Sequence, residues 1–207
     1  EIVPCDWSSD VCSSDLGEGR ATAILGVSRD VTEQRRLREE LRTLATTDPL
    51  TGAFNRRHFV GELRREMMRS DRYATPFSLV MLDIDRFKAV NDRLGHEIGD
   101  RVLKGVVDLI QQRIRASDLL ARWGGEEFMI LLGNTILSQA MALAGDLLER
   151  LRSEPLPGIG LLTASFGVTQ YRGHEGIDVL LTRVDNLMYR AKREGRARVA
   201  HDPAPAG

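Results

Sequence analysis

Apolar and polar positions follow two different periods along this chain, one typical of strands and one of helices. Residues 77–85 are almost continuously apolar, as expected of a central strand that is covered on both faces. Two further apolar arms, 119–123 and 128–132, flank a Gly-Gly pair. This arrangement predicts a hairpin, because glycine adopts the positive φ angles of tight turns at little steric cost. Strands are also expected at 160–169 and around Val199.

Helices are predicted where apolar residues recur at three- and four-residue spacing. One begins at the capping residue Asn55 and runs to about Asp71, and a short one begins at Phe87. A polar loop at 94–100 precedes the next helix, which ends near Arg113, and two more are expected at about 138–151 and 177–193. The expected inward-facing residues are Phe59, Leu63, Met67, Val102, Leu103, Val106, Val107, Ile110, Val184, Leu187 and Met188. The order of elements predicts an α/β fold with a mixed, largely antiparallel central sheet flanked by helices.

A charged helix is predicted from Thr32 to about Thr47, ahead of this domain. Its leucines, Leu37, Leu41 and Leu44, keep a four-three spacing that fits a short coiled-coil seam, although a solvated linker helix fits equally well. A strand precedes it, and residues 26–34 resemble the last strand and exit of a PAS sensor domain. We therefore interpret 17–32 as the remnant of a PAS-like domain and 33–47 as a linker helix.

The first 16 residues follow neither the helical nor the strand period. They contain both cysteines, Cys5 and Cys12, and a repeated Ser-Ser-Asp that resembles the translation of a DNA-sequencing adapter. We interpret residues 1–16 as non-native sequence and leave them out of the fold prediction. The alternative is a genuine Ser/Asp-rich loop closed by a disulfide.

Composition restricts the function classes. The chain has 207 residues with 42% hydrophobic and 29% charged residues, which is typical of a globular protein. Its net charge of -1 gives no overall attraction to nucleic acid or to a membrane surface. No apolar run approaches the roughly 20 residues of a transmembrane helix. We expect a cytoplasmic protein with no membrane span in this piece.

Acidic residues mark the candidate chemistry. Asp83 and Asp85 end the central strand two residues apart, so that their carboxylates project to one side, and Glu126 and Glu127 follow the Gly-Gly pair. Oxygen ligands without His or Cys select a hard ion such as Mg²⁺, which commonly also binds substrate phosphates. The pattern suggests phosphoryl or nucleotidyl transfer. Three basic residues could neutralise a triphosphate or could simply be solvated: Lys88, Lys192 and Arg196.

An ordered set of motifs over about 150 residues resembles the GGDEF domain of diguanylate cyclases. They are Asp-Pro-Leu-Thr-Gly at 48–52, Asn-Arg-Arg at 55–57, Leu-Asp-Ile-Asp-Arg-Phe-Lys at 82–88, Asn-Asp at 91–92, Gly-His at 95–96, Gly-Asp at 99–100, Gly-Gly-Glu-Glu-Phe at 124–128, Ser-Phe-Gly-Val at 165–168 and Tyr-Arg-Ala-Lys-Arg-Glu-Gly-Arg at 189–196. The GGEEF signature is among the active variants of that family. The resemblance implies a nucleotidyl-cyclase palm-like fold over 48–201, followed by a disordered tail at 202–207.

The resemblance also implies roles for single residues. Asp83, the carbonyl of Ile84, Glu126 and Glu127 would surround Mg²⁺ or Mn²⁺ on GTP, and Glu126 is the candidate base for the ribose 3′-hydroxyl. Asn91 and Asp100 would read the guanine edge. His96, Phe87, Gly124 and Gly125 would lie against the nucleotide, and Lys88, Lys192 and Arg196 would hold phosphates, with Lys88 also counted as catalytic together with Glu126 and Glu127.

The implied reaction joins two GTP molecules into cyclic di-GMP across a homodimer, which the linker helix would align. Arg115 and Asp118 have the spacing of the family's RxxD product-inhibition site, although an i,i+3 surface ion pair is the alternative. The rival function is a catalytically silent module that binds GTP or cyclic di-GMP.

Overall fold

The computed structural model of the chain describes residues 7–13, 24–155 and 160–203. The chain divides into two compact units, Glu1–Ala45 and Thr46–Gly207. Within the described ranges, no helix combines the length and the apolar character that a membrane crossing requires. Residues 204–207 of the predicted tail and residues 17–23 of the predicted PAS-like segment lie outside the described part.

The first unit contains a two-stranded sheet and most of a helix. Strands β1 (Trp7–Ser13) and β2 (Ile24–Asp30) pair in antiparallel fashion, and helix α1 (Thr32–Thr46) follows. The sequence pattern assigns no element to residues 1–16, whereas the structure forms β1 there, because its Ser/Asp-rich segment pairs its backbone along all of β2 without apolar alternation. The helix is confirmed, and Leu37 and Leu44 are 48% and 70% exposed on it. Cys5 and the side chain of Leu41 lie outside the described part.

The second unit is built on a six-stranded sheet in the order β3-β5-β6-β4-β7-β8. The strands are β3 (Phe54–Asn55), β4 (Phe77–Ile84), β5 (Leu119–Gly124), β6 (Glu127–Gly133), β7 (Ala164–Gln170) and β8 (Val199–His201). The three central pairings are antiparallel, whereas β3 with β5 and β7 with β8 are parallel. This confirms the predicted mixed, largely antiparallel sheet.

Five helices complete this unit within the described residues. They are α2 (Arg56–Tyr73), α3 (Phe87–Leu94), α4 (His96–Gln111), α5 (Leu137–Ser153) and α6 (Ile177–Arg193). Asn55 caps α2 as predicted, since its side chain accepts a hydrogen bond from the His58 N–H at 2.9 Å. The predicted loop at 94–100 is wrong. Gly95, with φ +87°, separates α3 from α4 by itself, and residues 96–100 form the first turn of α4.

The core forms two apolar layers, one on each face of the sheet. Every residue of β4 is buried, because alternate side chains enter opposite layers. The first layer contains Val80, Leu82 and Ile84 with the buried stripes of α4 and α5. The second contains Phe77, Leu79 and Met81 with residues of α2 and α6. The central strand, which ends at Ile84, therefore lies between the two layers along its whole length, and Asp83 is buried with it.

Candidate active site

The hairpin between β5 and β6 turns at Gly125 and Glu126. Gly124 pairs with Glu127 in the strand ladder, after a register shift between Arg122 and Gly124. Gly125 adopts a positive φ of +42°, whereas Gly124 remains in β5. The hairpin is thus confirmed, but its turn lies one residue later than the Gly-Gly pair predicted. As a result Glu126 lies in the turn and Glu127 at the first position of β6.

The ladder between β4 and β6 brings the predicted carboxylates together. Asp83 lies directly opposite Glu127, and the Ile84 N–H donates to the Glu126 carbonyl at 3.3 Å. Directly opposed residues in an antiparallel pair have neighbouring side chains. Sequence reasoning predicted each of these four residues as a metal ligand, and the structure brings them to the same end of the sheet.

Asp83 is a buried carboxylate with one basic partner. Its side chain is 7% exposed, and the Lys192 Nζ lies 2.6 Å from its Oδ2. Burial raises the pKa of Asp83 to about 6, because the hydrogen bond and charge of Lys192 offset the loss of water only in part, and the charges of Glu126 and Glu127 raise it further. The ammonium of Lys192 therefore occupies the position beside Asp83 where a metal ion would be expected.

The pKa of Glu127 is also raised, because positive charge nearby does not offset burial and the neighbouring acids. Burial raises its pKa, and the charges of Asp185 and Glu126 add to this effect. Lys192 and, more weakly, Arg56 act in the opposite direction. Three acidic side chains thus influence one another around a single lysine, an arrangement that a bound cation would stabilise.

The oxygen-rich donor set fits a hard divalent ion. Among the residues that the structure describes, no group of three or more His, Cys, Asp or Glu side chains is close enough to hold a metal ion. A cation here would therefore take part of its coordination from oxygens that the side chains do not supply. Substrate phosphates are such a source, as is usual for Mg²⁺ in phosphoryl-transfer sites.

A polar acceptor without a partner lies between α3 and α4. The Oδ1 of Asn91 is buried and has no hydrogen-bond partner. A Cβ at Gly99 would lie 1.8 Å from this oxygen and 3.3 Å from the ring of Phe87, so only glycine leaves room for the amide. His96 and Asp100 are exposed on the adjoining first turn of α4. Asn91, His96 and Asp100, three of the predicted binding residues, thus lie on α3 and the first turn of α4, and the fourth, Phe87, lies at the start of α3.

The three predicted phosphate-binding residues are arranged differently from one another. Lys88 is exposed on α3, and Lys192 is partly buried against Asp83. Helix α6 ends at Arg193, and Arg196 lies in the following loop with a φ of +62°. Lys192 and Arg196 are four residues apart in the sequence but do not share a helix face, because Gly195 turns the chain after the end of α6.

Arg122 is a site residue that sequence reasoning missed. Its guanidinium donates to the Gly125 carbonyl at 2.9 and 2.8 Å and to Asp48 at 3.1 Å, so it joins the hairpin turn to the start of the domain. Burial raises the pKa of Asp48, but hydrogen bonds from Thr51 and Arg122 outweigh this effect and lower it overall. The signal available in the sequence was an arginine two residues before the Gly-Gly pair.

The RxxD segment forms a tight turn ahead of β5. The Oδ2 of Asp118 accepts a hydrogen bond from the Arg115 N–H at 2.9 Å, and the Asp118 N–H donates to the Arg115 carbonyl at 3.0 Å. No ion pair joins the two side chains in the described part of the chain, so the surface ion pair is not formed. The Oδ1 of Asp118 is buried without a partner. This leaves an acceptor next to the exposed side chain of Arg115.

Comparison with known proteins gives one consistent family. The family model described as "Diguanylate cyclase, GGDEF domain" matches residues 45–198. Diguanylate cyclase DgcM of Escherichia coli is 41% identical over 176 residues, which are 85% of this chain and 43% of the relative. Diguanylate cyclase DgcP of Pseudomonas aeruginosa is 41% identical over 172 residues, which are 78% of this chain and 24% of the relative. The chain thus spans less than half the length of these relatives.

Solved structures agree with the sequence comparison. The coiled coil and GGDEF domain of DgcB from Caulobacter crescentus, in complex with c-di-GMP, matches with a TM-score of 0.77 at 32% identity, covering 83% of this chain and 95% of that one. The active GGEEF domain of a diguanylate cyclase from Vibrio cholerae matches with a TM-score of 0.68 at 34% identity, covering 71% and 96%. The fold and the hairpin sequence therefore recur together in that GGEEF domain.

Proposed function

The chain belongs to the family of diguanylate cyclases with a GGDEF domain, and from that premise we propose that it condenses two GTP molecules into cyclic di-GMP and two pyrophosphates. One observation carries the proposal: Asp83 and Glu127 face each other across the ladder beside Lys192, at the base of an open Gly-Gly hairpin. The GGEEF form of the signature supports activity, since a GGEEF domain described as active shares the fold.

The residues present fit a divalent metal ion as cofactor. Asp83, the carbonyl of Ile84, Glu126 and Glu127 would hold Mg²⁺ or Mn²⁺, which would neutralise the triphosphate and lower the pKa of the ribose 3′-hydroxyl. In this structure the ammonium of Lys192 offsets the charge of Asp83. The ammonium of Lys192 would also be available to bind phosphate oxygens of the nucleotide.

Proton removal from the 3′-hydroxyl needs a nearby acceptor. Glu126 lies in the turn itself and is half-buried, so its carboxylate can reach a ribose placed over the exposed Gly124 and Gly125. Lys88, Lys192 and Arg196 stabilise the negative charge that develops as pyrophosphate leaves. In this scheme the carboxylate of Glu126 acts on the attacking hydroxyl, and the three basic side chains act on the leaving pyrophosphate.

Guanine selectivity would come from unsatisfied acceptors. The unpartnered Oδ1 of Asn91 and the carboxylate of Asp100 match the N1–H and N2–H₂ donors of guanine. Adenine presents no donor at the N1 position, so it would leave a buried acceptor unpaired. His96 and Phe87 border the same pocket.

Two copies of the domain are needed, because each 3′-hydroxyl attacks the α-phosphate of the other nucleotide. Helix α1 carries exposed leucines at Leu37 and Leu44, as an interhelical seam requires. A related structure contains a coiled coil and a GGDEF domain. We propose that residues 33–47 align two catalytic domains, 48–201, under the control of a sensor of which 17–32 is the last part.

Product inhibition would use the RxxD turn. The guanidinium of Arg115 and the free Oδ1 of Asp118 offer one cationic donor and one acceptor to a guanine nucleotide. Replacement by Arg115→Ala should therefore remove inhibition by cyclic di-GMP while leaving the initial rate unchanged. Arg64→Ala, at an exposed position of α2, is the matched control. Inhibition curves that coincide for Arg115→Ala and the parent chain would rule out this site.

The direct test is incubation of the purified chain with GTP and Mg²⁺, followed by separation of the nucleotides. We expect cyclic di-GMP and pyrophosphate from the parent chain and none from Glu126→Ala, whereas Glu149→Ala on α5 should behave like the parent. GTP that binds to a demonstrated dimer but is recovered unchanged would contradict the proposal and favour a silent binding module.

A further inference from the structure

Asp85 is a second buried carboxylate at the end of β4, and its contacts differ from those of Asp83. It is 8% exposed, and it accepts hydrogen bonds from the Ser165 hydroxyl at 2.7 Å, the Thr163 hydroxyl at 2.8 Å and the Ala197 N–H at 3.0 Å. Within the described ranges it forms no ion pair with a basic side chain. Its charge is therefore held by neutral donors alone, which fix it in one orientation.

One of these donors belongs to a distant loop. Ala197 lies 112 residues after Asp85, between α6 and β8, and directly follows Arg196. The bonded N–H is part of the peptide group that joins Arg196 to Ala197. A hydrogen bond to this group restricts rotation about the last backbone bond of Arg196, and it thereby limits the directions in which the arginine side chain can leave the loop.

The loop has a backbone conformation that needs such a restraint. Gly195, Arg196 and Ala197 have consecutive positive φ angles of +116°, +62° and +48°. The left-handed region is unfavourable for arginine and alanine, because their Cβ atoms approach the following carbonyl oxygen. Strained residues persist where surrounding contacts determine their conformation.

Other contacts hold the remaining backbone groups of the loop. The Arg196 N–H donates to the Ala191 carbonyl at 3.0 Å. The Phe166 N–H of β7 donates to the Arg198 carbonyl, just before β8, at 2.9 Å. The Arg152 guanidinium bonds the Ala197 carbonyl from the outer side. The Arg198 Nε donates to the Arg196 carbonyl at 3.3 Å, whereas among the described residues Asp85 alone holds the N–H of the same peptide group, so the loss of Asp85 would leave this N–H without its partner.

We propose that Asp85 is a positioning residue, which holds Arg196 in the orientation that binds the phosphates of GTP. This inference rests on the proposed function, because it takes Arg196 as a phosphate ligand. Asp83 and Asp85 then act on different predicted phosphate ligands, Lys192 and Arg196 respectively. Asp83 contacts Lys192 itself, whereas Asp85 contacts the backbone that carries Arg196.

The chemistry of the three donors distinguishes this role from metal binding. In Asp85→Asn the amide oxygen can still accept from Thr163 and Ala197, and the amide nitrogen can donate to the Ser165 hydroxyl, which also serves as an acceptor. In Asp85→Ala all three donors lose their partner. A positioning role therefore predicts that Asn preserves GTP binding and Ala does not, whereas a metal ligand would lose its charge in both variants.

The experiment is a comparison of GTP affinity, with Mg²⁺ present, among the parent full chain, Asp85→Ala, Asp85→Asn, Arg196→Ala and the double variant Asp85→Ala/Arg196→Ala. Thermal unfolding of each protein provides the control for folding. We expect Asp85→Ala and Arg196→Ala each to weaken binding about tenfold, the double variant to bind as Arg196→Ala does, and Asp85→Asn to bind as the parent does.

Equal weakening by Asp85→Ala in the parent and in the Arg196→Ala background would overturn the inference, and so would equal losses in Asp85→Asn and Asp85→Ala. If Asp85→Ala does not fold, Thr163→Val replaces it, since it removes one donor without changing shape. Its smaller weakening must disappear in the Arg196→Ala background. A parent chain that does not bind GTP, or Arg196→Ala binding as well as the parent, would instead refute the proposed function at this residue and the inference with it.

Discussion

Gly99 shows how the proposed guanine site depends on the absence of one methyl group. Its missing Cβ would overlap the Oδ1 of Asn91, which is the end of a flexible side chain. The sequence showed both residues within a family pattern, but it could not show that one makes room for the other. Their contact depends on how closely α3 packs against α4, and this packing is set by the single-residue turn at Gly95.

Replacement by Gly99→Ala should separate binding from stability. The methyl group would turn the Asn91 amide away from the guanine position, so GTP affinity should fall about tenfold or more, equivalent to at least one lost hydrogen bond. The unfolding temperature should stay the same or rise, because alanine favours the helix. Calorimetric titration and thermal unfolding measure the two effects.

The matched control is Gly145→Ala in α5, where nothing lies within 4 Å of the added methyl group. It should raise stability slightly and leave GTP affinity unchanged. If Gly99→Ala bound GTP as tightly as this control, Asn91 would have no part in reading the base.

Asp48 gives the domain a pH dependence in the acidic range. Because its pKa is lowered in the folded state, its ionised form stabilises the fold above the unfolded value of 3.8, and this stabilisation is lost as the pH falls through the folded value. Asp48→Asn should therefore lower the free energy of unfolding by about 1–3 kcal/mol at pH 7 and by much less at pH 3. Urea unfolding at the two pH values measures the difference.

Asp108→Asn, at an exposed position of α4, should show no such difference. A loss at pH 3 as large as the loss at pH 7 would mean that the charge of Asp48 does not hold Arg122 and the hairpin turn. At the residue scale, then, motifs predicted which acids matter, but the basic partners Lys192 and Arg122 became visible only in three dimensions.

Elements with a strong apolar period were predicted well, and short or polar ones were not. The bounds of α6 and the buried faces of α2 and α4 agree with the sequence pattern. Strand β1 and the two-residue β3 escaped prediction, because backbone pairing with a neighbouring strand forms them rather than apolar alternation. The sequence pattern predicted a loop for the first turn of α4, because most residues of this turn are polar, and in the structure they are exposed.

Helix α1 is the element through which the rate would be controlled. Leu41→Pro removes a backbone hydrogen bond and places the proline ring against the preceding turn, which costs about 3 kcal/mol in a helix interior. We expect lower cyclase output with unchanged GTP affinity, because the second unit lies beyond the break. Product formation and nucleotide titration measure the two quantities.

A control for Leu41→Pro is Glu33→Pro, in the first turn of α1, where proline is tolerated because the N–H lacks a helical acceptor. This variant should keep the parent rate. Equal rates for Leu41→Pro and Glu33→Pro would remove α1 from the control of catalysis.

At the scale of the whole molecule, the proposed reaction requires two domains, because each would hold only half of the reacting groups. In the described residues, the proposed site contains one set of acids at the hairpin between β5 and β6. It also contains one buried acceptor without a partner, the Oδ1 of Asn91, for the guanine base. The family pattern predicted the requirement for two domains, and the described part of a single chain contains one such site. The rate should therefore depend on association as well as on the residues of the site.

The most direct measurement is the amount of pyrophosphate and cyclic di-GMP formed from GTP and Mg²⁺ over a range of chain concentrations. The proposed two-domain reaction requires two pyrophosphates for each cyclic di-GMP and a specific activity that rises with concentration until the dimer is complete. A specific activity independent of concentration, down to amounts at which the chain is demonstrably monomeric, would contradict it, as would pyrophosphate release without any cyclic product.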